Sequence, residues 1–149
     1  MDKRPKTVLY LLLALCFAAT AQIFWFDRSY EAAGAMRRDL FWAGDYWRAL
    51  TSAFIHGGWI HLALNGIALF VLGRAIVGAF GGFVLALFTI TAAEAGMAAS
   101  LLTAGPHYDP TWRVGISGGV SGLVGLIFAI EWAMSRDWAG FFRRRNVRI

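Results

Sequence analysis

Few residues in this chain are equipped for chemistry, and they stand out because their surroundings are apolar. His61, Asn65, Glu94 and Ser117 interrupt long runs of aliphatic and aromatic side chains, and His56 stands just before the second of those runs. Polar side chains in such surroundings cost free energy, which makes each a functional candidate. His61 and Asn65 are four apart, so a helix places them on one face with Asn65 about 6 Å deeper along the axis. Two hydrogen-bonding side chains thus point the same way, as any such pair that ties one helix to a neighbour would. Ser117 lies in Gly115-Ile116-Ser117-Gly118-Gly119, followed by Ser121, Gly122 and Gly125. A serine at a helix start among glycines is accessible as a nucleophile, with unpaired backbone N–H groups nearby for an oxyanion. The same glycines, at Gly115/Gly119 and Gly118/Gly122, form small-xxx-small pairs that let two helices approach closely without any chemistry. Either reading fits the spacing alone.

The elements that must position these residues follow from composition. Of the 149 residues, 58% are apolar and 15% charged, with mean hydropathy +0.56, more apolar surface than one small soluble core can bury. Four segments, at about Thr7 to Phe26, Trp59 to Val77, Gly81 to Thr103 and Val114 to Met134, approach the length that crosses a hydrocarbon core of about 30 Å. Each is predicted to be a helix, because lipid leaves backbone groups no water to bond and the alternation of barrel strands is absent. The fold class is therefore an all-α, polytopic membrane bundle, a single domain over 1–149. The amino-terminal MDKRPK and the following apolar run, about as long as a spanning helix needs, are read as a retained anchor although AATA offers a signal-peptidase sequence.

The connections predicted are about 32 residues (Asp27 to Gly58), three (Gly78 to Phe80) and ten (Ala104 to Arg113). Lys3, Arg4 and Lys6, Arg74, and the carboxy-terminal RRRNVR fall on one side if the chain crosses four times, and the positive-inside rule makes that side cytoplasmic. The first loop opposes this with Arg28, Arg37, Arg38 and Arg48, nearly balanced by Asp27, Glu31, Asp39 and Asp45. It is also dense in aromatics (Phe41, Trp42, Tyr46, Trp47, Phe54, Trp59), as an aromatic belt or an ordered element in the outer leaflet would be. The formal charge of +5 comes from basic clusters flanking apolar runs, so nucleic acid is not an expected partner. The single Cys16 is read as a small packing residue, and His56 and His61 lack a third metal ligand, so no metal is expected.

Taken together, DYWRALTSAFIHGGWIHLALN (Asp45 to Asn65) and GISGGVSGLVG (Gly115 to Gly125), with a spanning segment between them, resemble the rhomboid intramembrane serine proteases. The resemblance covers the first four of that family's six core helices. It implies that Ser117 is the nucleophile and that His61, Asn65 and the backbone around Gly115 and Ser117 stabilise the oxyanion. It also implies a structural role for His56 and for the Trp47-Arg48 pair of the first loop. No cofactor is implied, and the substrates would be single-pass transmembrane proteins cut in the lipid bilayer.

Two departures accompany the match. The family's catalytic base is a histidine on the sixth core helix, whereas after Met134 this sequence has only SRDWAGFFRRRNVRI, too charged to span. The chain is therefore expected to be a fragment with little activity alone, and His107, ten residues before Ser117, is a poor substitute base. Val77 stands near the position where many relatives carry a glutamate, and Glu94 matches no part of the catalytic pattern; it is read as a protonated acid bonded to a neighbouring helix, or as part of a water path. The alternative function is a non-proteolytic, client-binding rhomboid-like protein. A four-helix channel would account for Glu94 and the glycines but not for the combined motifs. The compact chain and the lack of an organelle-targeting pattern point to a bacterial inner membrane; nothing in the pattern specifies an oligomeric state.

Overall fold

The computed structural model describes residues 5–25, 34–103 and 111–135. His107, the basic tail, Lys3, Arg4, Asp27, Arg28 and Glu31 lie outside the described residues. Among the described residues four long helices dominate, α1 (Thr7–Trp25), α4 (Trp59–Phe80), α5 (Gly82–Thr103) and α6 (Ser117–Ser135), with two short helices, α2 (Arg38–Trp42) and α3 (Arg48–Ser52), in the first loop. All four long helices are long and apolar enough to cross a membrane.

One contiguous core joins them, built from Leu9, Leu12 and Cys16 of α1, Leu69, Ile76 and Val77 of α4, Leu85 of α5, and Ile116 and Leu123 at α6. Cys16 packs in this core as a small apolar residue. The outward faces are as apolar as the inward ones: Ile60, Phe83 and Leu102 are 77–79% exposed. In water such a surface would drive association. A bilayer is the solvent that accommodates it, and the molecule is a helical membrane bundle.

Two helix boundaries differ from the sequence expectation, and a glycine explains each. α4 continues through Phe80 instead of ending near Val77, and the chain reverses at Gly81 alone, whose φ of 91° is accessible to glycine at little cost. Its N–H donates to the Val77 carbonyl at 2.9 Å, closing the last turn. α6 begins at Ser117, three residues after the predicted Val114, because Gly115 has φ 106° and cannot belong to a right-handed helix.

The closest helix pairing is between α5 and α6. Gly118 and Gly119 rest against the Ala92, Ala93 and Thr89 backbone, and Gly122 against the Ala92 methyl, with no room for a Cβ at Gly119 or Gly122. At the opposite end of α1, Trp59 at the start of α4 packs on Phe17, Phe24 and Trp25 with ring centroids 5.4–6.1 Å apart.

From residue 34 onward the first loop is an ordered element. Arg48, only 8% exposed, donates to the Asp45 carboxylate at 2.9 Å and to the Ala35 carbonyl at 3.2 Å, with its guanidinium 4.7 Å from the Trp47 ring. Thr51 Oγ1 donates to the Gly34 carbonyl at 2.8 Å. Trp42, Tyr46, Trp47 and Leu50 remain exposed on its outer surface. The loop thus has internal order and an apolar exterior at once.

Candidate active site

The run from Arg113 to Ile116 sets up the site, and it is held from the first loop. Met36 and Arg113 exchange backbone hydrogen bonds of 3.0 and 2.8 Å as an isolated antiparallel bridge. Two residues on, the Gly115 N–H donates to the Ser52 carbonyl at 2.9 Å. The chain then turns into α6, whose first hydrogen bond outside the regular ladder runs from the Val120 N–H to the Ile116 carbonyl at 3.0 Å. The N–H groups of the preceding residues, Ser117 included, have no acceptor within an α-helix and face whatever occupies the helix start.

Ser117 is the first residue of α6 and is exposed. Its hydroxyl has no hydrogen-bond partner among the described residues. It borders a cleft of about 340 Å³ with Met97, Ser100, Arg113, Gly115 and Gly118.

His61 stands in the first turn of α4 and packs directly on Gly115. A Cβ built there would lie 2.7 and 2.9 Å from His61 Cε1 and Nε2, and 3.7 Å from His56 Cδ2. The missing side chain at Gly115 is therefore what admits the His61 ring beside the approach to Ser117, while His56 lies at ordinary contact distance. Gly115 differs from expectation in one respect: its N–H is committed to Ser52, so its contribution is space and chain direction, not a free donor. Asn65 is buried one turn below His61, and its Nδ2 donates to the His61 carbonyl at 3.1 Å. An amide nitrogen carries two hydrogens, which leaves a second for another acceptor. Asn65 also lines a cleft of about 460 Å³ between α1 and α4, together with His56, Cys16 and Ile116.

His56 is 1% exposed and its ring meets that of His61 edge to face, 5.0 Å between centroids. Its Nδ1 lies 3.3 Å from the Phe54 carbonyl and 3.4 Å from Thr20 Oγ1, joining the loop to α1. Burial, aided by the neighbouring His61, pushes its pKa down to about 4. The ring is thus neutral at pH 7 and donates from Nδ1 to the Phe54 carbonyl, while Nε2 is buried with no partner among the described residues.

The structure therefore gathers His56, His61 and Gly115, with Ser117 two residues beyond and Asn65 one turn deeper. Trp47 and Arg48 stay in the first loop and brace it. Glu94 has its Oε1 buried without a partner among the described residues, so that oxygen does not make the bond to a neighbouring helix expected of it. Ser52, Met36 and Arg113 carried no sequence signal for aiming the run into α6, because the bonds that tie it to the first loop are made by their backbones.

Comparison with known proteins gives the family. Residues 43–147 match the rhomboid domain. Over 99 residues the chain is 31% identical to rhomboid protease GluP of Bacillus subtilis (strain 168), covering 66% of this chain and 18% of that protein. It is 34% identical over 102 residues to rhomboid protease AarA of Providencia stuartii (61% and 35%), and 30% identical over 96 residues to RHOMBOID-like protein 5 of Arabidopsis thaliana (64% and 30%). The chain thus spans between about a fifth and a third of the length of these relatives. With the match running from the first loop through the serine-bearing helix, the chain belongs to the rhomboid family.

Proposed function

We propose that this chain forms the nucleophile-bearing part of an intramembrane serine endopeptidase acting on single-pass transmembrane proteins. The observation that carries the proposal is the placement of an exposed Ser117 at the start of α6, two residues from a glycine against which His61 is packed. In this reading Ser117 Oγ attacks the scissile carbonyl carbon, and the carbonyl oxygen becomes an oxyanion. His61, the free hydrogen of Asn65 Nδ2 and the Ser117 N–H donate to it. The amine leaves with a proton, and water then hydrolyses the acyl-Ser117 ester. His56 stays neutral and structural. Attack requires a base for the Ser117 proton, and the rhomboid resemblance assigns it to a histidine of a later core helix. No cofactor has a part in this chemistry.

The orientation that goes with this reading puts Lys6 and the Arg74 end of α4 on the cytoplasmic face of a bacterial inner membrane. The first loop and the Ser117 end of α6 then lie toward the outer leaflet. The second reading, a non-proteolytic protein that binds membrane clients, draws on the Ser117 hydroxyl having no hydrogen-bonded base among the described residues.

The deciding experiment reconstitutes the full gene product in liposomes with single-pass reporter proteins. Wild type is expected to cleave, and Ser117→Ala to lose at least about 100-fold in rate. Equal turnover by the variant removes Ser117 as nucleophile, whereas reporter binding without cleavage by the wild type favours the client-binding reading.

A further inference from the structure

The run that delivers Ser117 to α6 has no secondary structure of its own, so its position depends on what grips it. One grip is the Met36–Arg113 bridge. The residues on either side of that bridge also meet: the Arg37 guanidinium lies 4.7 Å from the Trp112 ring. Arg37 is itself pinned, with Nε and Nη2 donating to the two Asp39 carboxylate oxygens at 2.6 and 2.9 Å. A bidentate pair fixes the plane of the guanidinium as well as its place, and a fixed plane is what stacking on an indole requires. The hydrogen bonds from Arg37, with its charge as a smaller contribution, hold the Asp39 carboxyl below its ordinary pKa. On the far side of the run, the Arg113 side chain donates from Nε to Ser100 Oγ on α5 and from Nη1 to the Thr111 carbonyl at 3.2 Å. The first loop, in turn, is tied down by Arg48 through the Ala35 carbonyl, the residue next to Met36.

We propose that Arg37, stacked on Trp112 and held by Asp39, is a positioning residue that keeps the Met36–Arg113 bridge closed and so sets where Ser117 enters helix α6. Arg37 touches none of the reacting groups; it acts through the bridge. The inference deepens the protease reading and rests on it for its catalytic consequence. It also gives the Arg48 anchor a link to the serine, through Ala35, Met36 and Arg113, that a purely local role in the loop lacks.

The test uses the full gene product in liposomes, wild type beside Arg37→Gln and Arg37→Lys. Two quantities are measured: amide hydrogen exchange at Arg113 and Gly115, whose N–H groups bond the Met36 and Ser52 carbonyls, and reporter cleavage resolved into kcat and KM. Arg37→Gln is expected to speed exchange at Arg113 at least about ten-fold while α4 and α6 interiors keep their protection, and to lower kcat about ten-fold with KM within two-fold. Lysine keeps the charge but loses the flat bidentate fork, so Arg37→Lys is expected to fall with Gln and not with wild type. Unchanged exchange at Arg113 overturns the proposal, whether or not the wild type cleaves. Faster exchange with kcat unchanged overturns the positioning role. A wild type that cleaves no reporter defeats the protease reading, and the catalytic role of Arg37 with it, while the exchange result still decides whether Arg37 holds the bridge.

Discussion

At the scale of single residues, the site turns on a side chain that is absent. Gly115 combines a φ of 106° with direct contact to the His61 ring. An alanine there pays twice, once for a left-handed backbone and once for pushing His61 or the run itself aside. Gly115→Ala is expected to destabilise the protein by about 1–3 kcal/mol and to slow cleavage at least about ten-fold under conditions where it remains folded. Comparing residual rate with folded fraction, the latter from thermal unfolding in detergent, checks this. A rate that falls only in proportion to folded protein would show that His61 needs no exact place. The four described polar residues of the site divide by burial: His56 and Asn65 are enclosed, His61 is half-buried, and Ser117 is open. The proposed roles ask for this division, since a nucleophile must meet a substrate, whereas the groups that shape its surroundings gain by being held.

At the scale of elements, α5 and α6 decide how firmly the serine is mounted. Helices in lipid gain little from burying apolar surface against one another, so close backbone approach has to supply the contact. Gly118, Gly119 and Gly122 supply it against Thr89, Ala92 and Ala93. The two readings of the glycine pattern are thus compatible, since the residues after Ser117 dock the helix and Gly115 before it shapes the site. Gly119→Ala drives a methyl into the Thr89 carbonyl and is expected to cost about 1–3 kcal/mol. Gly125, on the same helix with open space around it, is the control: Gly125→Ala is expected to be neutral or slightly stabilising. Thermal midpoints of the two variants in one detergent test this, and equal midpoints would show that the close α5–α6 contact adds no stability. The first loop is the other decisive element, because α2, α3 and the bridge at Met36 convert a stretch of charged and aromatic residues into the support for the run before Ser117.

For the whole molecule, pH reads out how the buried histidine joins loop to bundle. His56 has an ordinary pKa of 6.5 in the unfolded chain and about 4 when folded, from burial and the nearby His61. Between these values the unfolded chain binds the proton and the folded one resists it, so stability rises with pH in that window. The contribution is fully present above about pH 6.5 and is lost as pH falls toward 4. Unfolding midpoints measured from pH 4 to 8 are expected to drop on the acid side, and His56→Gln to flatten that drop; an identical acid slope in the variant would locate the sensitivity elsewhere. His56 has this reach because its Nδ1 faces both Phe54 in the loop and Thr20 in α1.

What the sequence determined by itself was the solvent, the helices and the cast of residues. Apolar runs of spanning length leave helices as the only answer in lipid, and the spaced pairs His61/Asn65 and Gly115/Ser117 were legible because helical periodicity and glycine are local properties. Tertiary structure alone decided how those pieces meet. The Gly115 N–H is spent on Ser52, the Met36 and Arg113 backbones pair across 77 positions of sequence, and Trp112 finds Arg37. Backbone hydrogen bonds between distant segments carry no side-chain signature, since every residue type except proline can make them. The ends of α4 and α6 were misplaced by three residues for a related reason: hydropathy continues smoothly through Phe80 and Val114, while the chain direction is set by the backbone angles of Gly81 and Gly115, which apolar pattern does not encode.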